Sequence, residues 1–266
     1  MGPMEPLGID GRWTQTMAWA AGGPPRAARV MQVVTESPRV RTLILDARLD
    51  ARPGQFVMAW LPGFEEKPFS LAEVDPVALT VARVGPFSSA LHTLAPGDRL
   101  WIRGPLGQGF VLEGRRALLV GGGYGVAPLA FLAREAIARG MAVTAITAAR
   151  RAEDVLYAAR FQALGARVVV ATEDGSLGER GQAPEVARRR LEAEPYDVLY
   201  GCGPEGMLES LRALAAALRI PAQLSYEAYM RCGIGLCGSC ERDGRLLCLE
   251  GPVLRFPAPV SATESR

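Results

Sequence analysis

Four cysteines fall within seventeen residues near the C-terminal end of the sequence, and their spacing limits the possible fold more than any other feature. The segment reads Cys232-x4-Cys237-x2-Cys240-x7-Cys248. The first three positions match the spacing of a loop that wraps a plant-type [2Fe-2S] cluster, with the fourth thiolate coming from further along the chain. We therefore predict that these four cysteines bind a [2Fe-2S] cluster.

Three glycines lie between these cysteines, at Gly233, Gly235 and Gly238. A loop whose amides turn inward toward cluster sulfurs needs such positions, because glycine has no Cβ to restrict the backbone. A structural zinc site is the alternative, since it also uses four thiolates, although usually as two pairs with two to four residues between partners. Buried cysteines without a metal are a third possibility. The odd total of five cysteines argues against a disulfide framework.

Length and charge restrict the remaining possibilities. With 266 residues, 49% of them hydrophobic and 22% charged, the chain is long enough for two compact globular domains with or without a small appendage. The net charge of +2 offers no electrostatic basis for binding nucleic acid, and the single histidine, His92, makes a histidine-based metal site or catalytic triad unexpected. The N-terminus lacks a secretory signal pattern, and the longest apolar run, 117–133, contains four glycines and a proline. We therefore expect a cytoplasmic protein without a membrane span.

The distribution of apolar runs predicts a multi-domain α+β fold in four segments. Residues 1–26, rich in Gly, Pro and Ala, are expected to form a poorly ordered arm. Residues 27–113 carry short β-branched runs separated by turn signals, which is typical of a small antiparallel β-barrel. Residues 114–220 alternate apolar runs with helical patterns, which predicts an α/β domain with a parallel sheet. The remainder, 221–266, is short and carries the cysteines.

Two glycine-rich turns in the 114–220 segment each follow an apolar strand and precede a helical pattern. Glycines there let backbone amides approach a pyrophosphate, and the helix dipole favours its negative charge. A single turn of this kind is often only tight strand-to-helix packing, and the first departs from G-x-G-x-x-G at Val126. Both turns would lie at the carboxyl ends of parallel strands, which is the usual ligand crevice of an open sheet. The predicted dinucleotide contacts are Gly121, Gly122, Gly123 and Gly125 in the first turn and Cys202, Gly203 and Pro204 in the second.

Together these motifs resemble the ferredoxin-reductase-like flavoproteins, and more closely the electron-transfer subunits of two-subunit, NAD-linked dihydroorotate dehydrogenases. The resemblance covers about residues 29–253. It implies that the barrel holds FAD, that the α/β domain holds NAD and that the C-terminal segment holds the [2Fe-2S] cluster. It also implies electron transfer through cofactors, so we predict no catalytic acid or base among the side chains.

The resemblance also implies which residues contact the flavin. The stretch 67–70 is similar to the family's Arg-Pro-x-Ser motif, with a lysine that keeps the positive charge but lacks the bidentate fork of arginine. Phe87 and Ser88 stand where the family usually has Gly-Thr, which leaves the hydroxyl and amide of Ser88 to meet the pyrophosphate. The implied flavin contacts are Lys67, Pro68, Phe69, Ser70, Val81, Ala82, Arg83, Phe87 and Ser88.

Two further features concern the dinucleotide. The run 172–176 is similar to the family's Thr-Asp-Asp-Gly-Ser turn, which implies a contact through Asp174, and the family's Cys-Gly-Pro motif implies that Cys202 lies beside the nicotinamide. Arg150 and Arg151 follow the second strand of the α/β segment and could meet a 2′-phosphate or be solvated. The resemblance favours NAD over NADP.

The implied partner is a catalytic subunit with bound FMN that oxidises dihydroorotate to orotate in pyrimidine synthesis. One alternative is the small subunit of an NAD(P)H:ferredoxin or sulfur-reducing oxidoreductase, which shares the same domain order. An alternative of another class is a nucleotide-sensing interaction module stabilised by zinc.

Overall fold

The structure, a computed structural model, describes residues 23–258. Residues 1–22 of the predicted arm lie outside the described residues, and so does the end of the predicted C-terminal segment from residue 259 onward. The disorder of the arm stays a prediction. Arg26, which the sequence placed in the arm, is the first residue of a strand.

The predicted antiparallel barrel is confirmed, and six strands form it: β1 (Arg26–Ser37), β2 (Val40–Leu45), β3 (Phe56–Trp60), β4 (Lys67–Val74), β5 (Val77–Ala82) and β6 (Arg99–Leu106). They close in the order β1-β2-β5-β4-β3-β6. In β1, Ala28 and Val30 are buried while Arg29 between them is exposed, because successive side chains of a strand point to opposite faces.

Strand β4 could not be predicted from its sequence pattern. Its residues read Lys-Pro-Phe-Ser-Leu-Ala-Glu-Val, which offers neither a β-branched run nor clean alternation. The strand forms because β3 pairs with its first half and β5 with its second half. Tertiary pairing therefore overrides a weak local propensity.

The predicted parallel sheet is also present, and it has seven strands: β7 (Arg116–Gly122), β8 (Ala142–Ala149), β9 (Arg167–Thr172), β10 (Glu179–Arg180), β11 (Val198–Cys202), β12 (Ala222–Ser225) and β15 (Val253–Phe256). Their order is β10-β9-β8-β7-β11-β12-β15, and every neighbouring pair is parallel except β12 with β15. The hairpin of β13 (Glu241–Arg242) and β14 (Arg245–Leu246) lies apart from this sheet.

Six helices of the described residues accompany these strands: α1 (Pro86–Leu91), α2 (Val126–Ala138), α3 (Ala158–Ala163), α4 (Ala183–Ala193), α5 (Glu205–Ala217) and α6 (Leu247–Glu250). Helix α4 was not anticipated, because its arginine-rich sequence has little apolar character beyond one narrow stripe. None of the helices within residues 23–258 is long and apolar enough to cross a membrane.

Strands β12 and β15 both come from the segment 221–266. The sheet thus takes its last two strands from either side of the cysteine loop, and the loop leaves the sheet after β12 and returns to it at β15. This arrangement anchors both ends of the cysteine segment in a rigid element. The predicted boundary at residue 220 stays a prediction.

Helix α2 packs the sheet against the barrel. Phe131 on this helix is 2% exposed and belongs to the hydrophobic core of the barrel. Arg134 on the same helix forms an ion pair of 2.5 Å with Glu73 of β4. The two domains are therefore joined through apolar packing and a charge pair along one helix.

Tyr157 makes a second connection between the domains. It precedes α3, is 6% exposed, and adopts a positive φ of 64°. Its hydroxyl lies 2.6 Å from Oγ1 of Thr80 and 3.2 Å from Oγ1 of Thr42, on barrel strands β5 and β2. The hydroxyl thus joins the nucleotide-side loop to the barrel wall.

Replacing Tyr157 with phenylalanine is expected to lower the free energy of unfolding by about 1 kcal/mol. The loss is modest because Thr42 and Thr80 stay 3.0 Å apart and keep their mutual hydrogen bond. Urea unfolding measures the change, with Tyr229→Phe as control because the hydroxyl of Tyr229 makes only a solvent-exposed hydrogen bond of 3.2 Å to Glu65. Equal midpoints for the two variants would contradict a role for this hydroxyl.

Candidate functional site

A cavity of about 470 Å³, the barrel-side cavity, opens between the barrel and the parallel sheet. Its volume lies in the range of small-molecule and cofactor sites. Strand β4, the end of β5 and helix α1 form its barrel wall. The predicted flavin residues that line it are Lys67, Pro68, Phe69, Ser70, Ala82, Phe87 and Ser88.

Phe87 and Ser88, the departure from the family motif, have definite structural roles. The Phe87 ring is buried against Phe64 and Phe69, at centroid distances of 5.8 and 6.1 Å. The Ser88 hydroxyl accepts hydrogen bonds of 2.9 Å from the amides of Val84 and Gly85. That hydroxyl therefore holds the loop before α1 in place, and it is already engaged by its own backbone.

Lys67 supplies positive charge at the mouth of the same cavity. Its Nζ lies 2.6 Å from Oε1 of Glu65 and 4.7 Å from the centroid of the Tyr229 ring. Hydrogen bonds from Lys67 and then from Tyr229 lower the pKa of the Glu65 carboxyl. Since Glu65 is exposed, this charge pair is screened by solvent.

A second cavity of about 540 Å³, the sheet-side cavity, lies over the carboxyl ends of the parallel strands. Ala82, Val84 and Tyr124 line both cavities, so the two spaces meet at these residues. A ligand group in one cavity can therefore contact a ligand group in the other. The predicted residues that line the sheet-side cavity are Ala82, Arg83, Gly122, Gly123 and Pro204.

The two glycine turns approach each other closely. A Cβ on Gly125 would lie 2.3 Å from the carbonyl oxygen of Cys202, and one on Gly203 would lie 3.0 Å from the amide nitrogen of Gly122. Gly203 also has a φ of 155°, which side chains rarely allow. Glycine is therefore required where the turns meet, as the sequence pattern suggested for backbone that must approach a phosphate.

Cys202, Tyr124 and Glu227 form a polar group on the wall of the barrel-side cavity. The Tyr124 hydroxyl donates a hydrogen bond of 3.4 Å to the Glu227 carboxylate. Burial, followed by the charge of Glu227, raises the pKa of the Tyr124 hydroxyl to about 12. Burial and then Glu227 likewise raise the pKa of the Cys202 thiol to about 12, although the Ser225 hydroxyl opposes this. Both groups are therefore neutral at physiological pH.

The Cys202 thiol is expected to resist alkylation in the folded protein. A thiol with a pKa near 12 contains about three orders of magnitude less thiolate at pH 8 than one with a pKa of 9. Pulse alkylation with iodoacetamide followed by mass spectrometry should find Cys202 unmodified until the protein is unfolded. Because the folded-state pKa lies above the unfolded value, Cys202 also contributes stability that is lost as pH rises from about 9 to about 12. Rapid labelling of Cys202 at pH 8 in native protein would contradict this assignment.

The cysteine loop follows β12 and lies against the barrel. Gly233, Gly235 and Gly238 all adopt positive φ, at 66°, 80° and 72°. A Cβ on Gly233 would lie 3.0 Å from Cγ of Met58 on β3, so the loop packs tightly there. The sequence expectation that these positions need glycine is met by their backbone conformation.

Backbone amides in this loop point at the cysteine sulfurs. Sγ of Cys232 accepts hydrogen bonds from the amides of Leu236 and Cys237 at 3.3 and 3.4 Å, and Sγ of Cys248 accepts one from Gly235 at 3.2 Å. Amide donors around thiolates are the environment that iron–sulfur proteins use to stabilise and tune their clusters. The donor set therefore fits an iron–sulfur cluster.

The four thiols differ in their surroundings. The Ser239 hydroxyl, helped by neighbouring amides, lowers the pKa of the exposed Cys237 thiol to about 6, whereas burial raises the pKa of Cys248 to about 11. Cys240 is buried and Cys232 is half-buried. Across residues 23–258, no three His, Cys, Asp or Glu side chains stand close enough together to hold one metal ion.

Four of the predicted contacts, Val81, Gly121, Asp174 and Gly203, line neither cavity. Val81 is 1% exposed in the barrel core, because its side chain points to the opposite face from Ala82. Gly121 packs beneath the first turn, where a Cβ would lie 2.5 Å from Cγ1 of Val126. Asp174 is exposed and bonds to Ser176 in its own turn, while the adjacent Glu173 lines the sheet-side cavity. Their roles, like those of the other predicted site residues, stay predictions.

Tyr124 and Glu227 were not anticipated. Tyr124 sits inside the first glycine turn, but only the fold shows that its ring faces both cavities. Glu227 lies five residues before Cys232 but belongs to no motif of its own, and its position follows from the pairing of β11 with β12. No local sequence signal distinguishes either residue.

Comparison with known proteins agrees with this architecture. A family model described as the iron-sulfur cluster binding domain of dihydroorotate dehydrogenase B matches residues 227–257, which contain all four clustered cysteines. A solved NADH-dependent reduced ferredoxin-NADP oxidoreductase has a similar fold, with a TM-score of 0.79 at 27% identity over 88% of this chain and 90% of that one. A cytochrome P450 reductase of Amycolatopsis gives a TM-score of 0.64 at 28% identity, covering 74% and 67% of the two chains.

Two curated relatives carry the name "Probable dihydroorotate dehydrogenase B (NAD(+)), electron transfer subunit". The protein from Methanothermobacter thermautotrophicus is 46% identical over 86% of this chain and 88% of its own length. The protein from Methanocaldococcus jannaschii is 39% identical over 86% and 89%. Identity at this level over nearly the full length of both relatives shows that the chain belongs to the family of dihydroorotate dehydrogenase B (NAD(+)) electron transfer subunits.

Proposed function

We propose that this protein passes electrons between NAD(H), FAD and a [2Fe-2S] cluster, to or from an FMN-containing catalytic subunit of dihydroorotate dehydrogenase in the cytoplasm. The proposal rests on the way the sites are arranged: two cofactor-sized cavities meet at Tyr124, and a four-cysteine loop packs beside them. The chain that has this arrangement is 46% identical to an electron transfer subunit. The bound cofactors supply the hydride and single-electron chemistry.

The protein's own residues have positioning roles. Strand β4 and helix α1 form the wall against which a flavin ring would lie, and Ser70 of β4 lines this wall. Lys67 offers a positive charge for the diphosphate. Gly122 and Gly123 leave room over the strand ends for the nicotinamide dinucleotide.

The cavity wall and the cysteine loop are close neighbours in space. Phe56 and Met230 line the barrel-side cavity, and Met58, two residues along β3 from Phe56, contacts Gly233 of the loop. Phe56, Met58 and Met230 all belong to one hydrophobic core cluster that also contains Cys240 and Cys248. The path from cavity to loop is therefore packed protein.

The outer side of the cysteine loop is the proposed docking side for the catalytic subunit. Leu236, within the loop, is 80% exposed, and Leu249, which packs beside Gly235, is 47% exposed. Single exposed leucines are common on protein surfaces, but two of them beside the same loop form an apolar patch that suits an interface.

Anaerobic purification of the native complex tests the proposal. We expect flavin, iron and acid-labile sulfide in the protein, together with an FMN-containing partner and NADH-dependent bleaching of the flavin band. Colourless protein that contains zinc would exclude the proposal and support the nucleotide-sensing module.

A second candidate is favoured by the likeness to the NADH-dependent reduced ferredoxin-NADP oxidoreductase. In that case the chain would be the small subunit of an NAD(P)H:ferredoxin oxidoreductase. Co-purification separates the two, because a larger iron–sulfur flavoprotein as partner would replace the FMN-containing subunit.

A further inference from the structure

Arg103 is a nearly buried charge on the inner wall between the barrel and the cysteine loop. It lies on β6, and its side chain is 10% exposed. An arginine at such a position needs compensating partners, because a buried unpaired charge is costly. The partners of Arg103 indicate a role beyond stabilising the barrel.

Glu66 is one of these partners. Nε of Arg103 lies 2.9 and 3.0 Å from the two carboxylate oxygens of Glu66, and Nη2 lies 2.5 Å from Oε2. The Glu66 side chain is only 20% exposed. The pair is therefore a bidentate fork in which the carboxylate fixes the plane of the guanidinium.

The other partner is the backbone of the cysteine loop. Nη2 of Arg103 donates a hydrogen bond of 2.8 Å to the carbonyl oxygen of Cys232, which is 129 positions away in sequence. Cys232 is the first thiol of the loop, and Gly233 follows it against Met58 and Leu106. Arg103 thus holds the point at which the loop enters its cluster-binding conformation.

We propose that Arg103, oriented by Glu66, is a positioning residue that fixes the cysteine loop on the barrel and sets the reduction potential of the cluster. The inference rests on the proposed function, since it concerns the [2Fe-2S] cluster assigned there. Charges and hydrogen bonds just outside the ligands are known controls of ligand geometry and potential. Glu66 balances the guanidinium charge, so the cluster experiences the pair and not a bare cation.

Removing one charge of the pair should move the potential in a defined direction. Glu66→Gln leaves the guanidinium unbalanced and stabilises the reduced, more negative cluster. We expect the midpoint potential to rise by roughly the equivalent of tenfold in the reduction equilibrium, which is ~59 mV for one electron. Arg103→Gln should shift it downward, because the Glu66 carboxylate then faces the loop alone.

Arg103→Lys tests the positioning role separately from charge. Lysine keeps the positive charge but cannot form the fork to Glu66 and reach the Cys232 carbonyl at the same time. We expect this variant to release iron to a chelator several-fold faster than the wild type. Glu192→Gln is the matched control for Glu66→Gln, because Glu192 is an exposed helix residue whose ion pair with Arg188 spans 4.0 Å.

The measurements are redox titration monitored by EPR and chelator-dependent iron release, made on the complex purified anaerobically. An unchanged midpoint in Glu66→Gln with its cluster intact, or wild-type iron release in Arg103→Lys, would overturn the inference. If Glu66→Gln loses both flavin and iron, the variant is misfolded and Arg103→Lys decides the question. Absence of a cluster from the wild type would instead overturn the proposed function.

Discussion

Replacing Cys248 with serine is expected to remove the cluster and lower electron delivery to the partner subunit by at least about 10²-fold. Loss of a direct ligand should cost no less than loss of an outer-shell partner, which already reaches that size. Cys248 is 1% exposed and its sulfur accepts the Gly235 amide, so serine occupies the same space while supplying a poorer ligand. Reduction of bound flavin by NADH should continue, because no residue of the segment 231–251 lines either cavity.

Cys202→Ala is the variant to compare with Cys248→Ser in the same experiment. Cys202 lies on the wall of the barrel-side cavity and is outside the cysteine loop. Its replacement should slow reduction of the flavin by NADH and leave the iron content unchanged. Stopped-flow absorbance and iron analysis on both variants measure the two effects. Normal iron content in Cys248→Ser would refute the assignment of this thiol as a ligand.

Replacing Gly125 with alanine is expected to lower the rate of flavin reduction by NADH by about 10²-fold, because displacements near 1 Å can cost that much. The new Cβ would lie 2.3 Å from the Cys202 carbonyl oxygen and 2.8 Å from the amide nitrogen of Gly203. These are backbone atoms, so no side chain can rotate away to relieve the clash. The two turns must separate at the place where the cavities meet.

Gly140→Asn is the matched control for this change. Gly125 and Gly140 stand at opposite ends of α2, and Gly140 has a φ of 78° with open space around the position of a Cβ. Asparagine tolerates this left-handed conformation better than other residues. The control should reduce flavin at nearly the wild-type rate, and a Gly125→Ala protein that does the same would show that the turns can separate without consequence.

The order and periodicity of the apolar runs predicted most of the fold. The alternation of short β runs and then strand–helix units was enough to predict a barrel followed by a parallel sheet, because those periods reflect which face of each element is buried. Strand β4 and helix α4 escaped prediction, since each is stabilised by neighbours and not by its own composition. Strand β12, which follows Pro221, was also not predicted, because the segment 221–266 was interpreted from its cysteines alone.

The sequence by itself determined the kinds of chemistry available: four thiols in a glycine-rich loop, glycine turns after buried strands, and a basic Pro-x-Ser segment. These depend on residue type and local spacing, which a linear chain already specifies. Only the tertiary structure decided that Tyr124 faces both cavities, that Glu227 faces Cys202, and that Arg103 reaches the Cys232 carbonyl. Those contacts join residues as far as 129 positions apart, and they arise because strand pairing and domain packing bring together segments that have no local preference for one another.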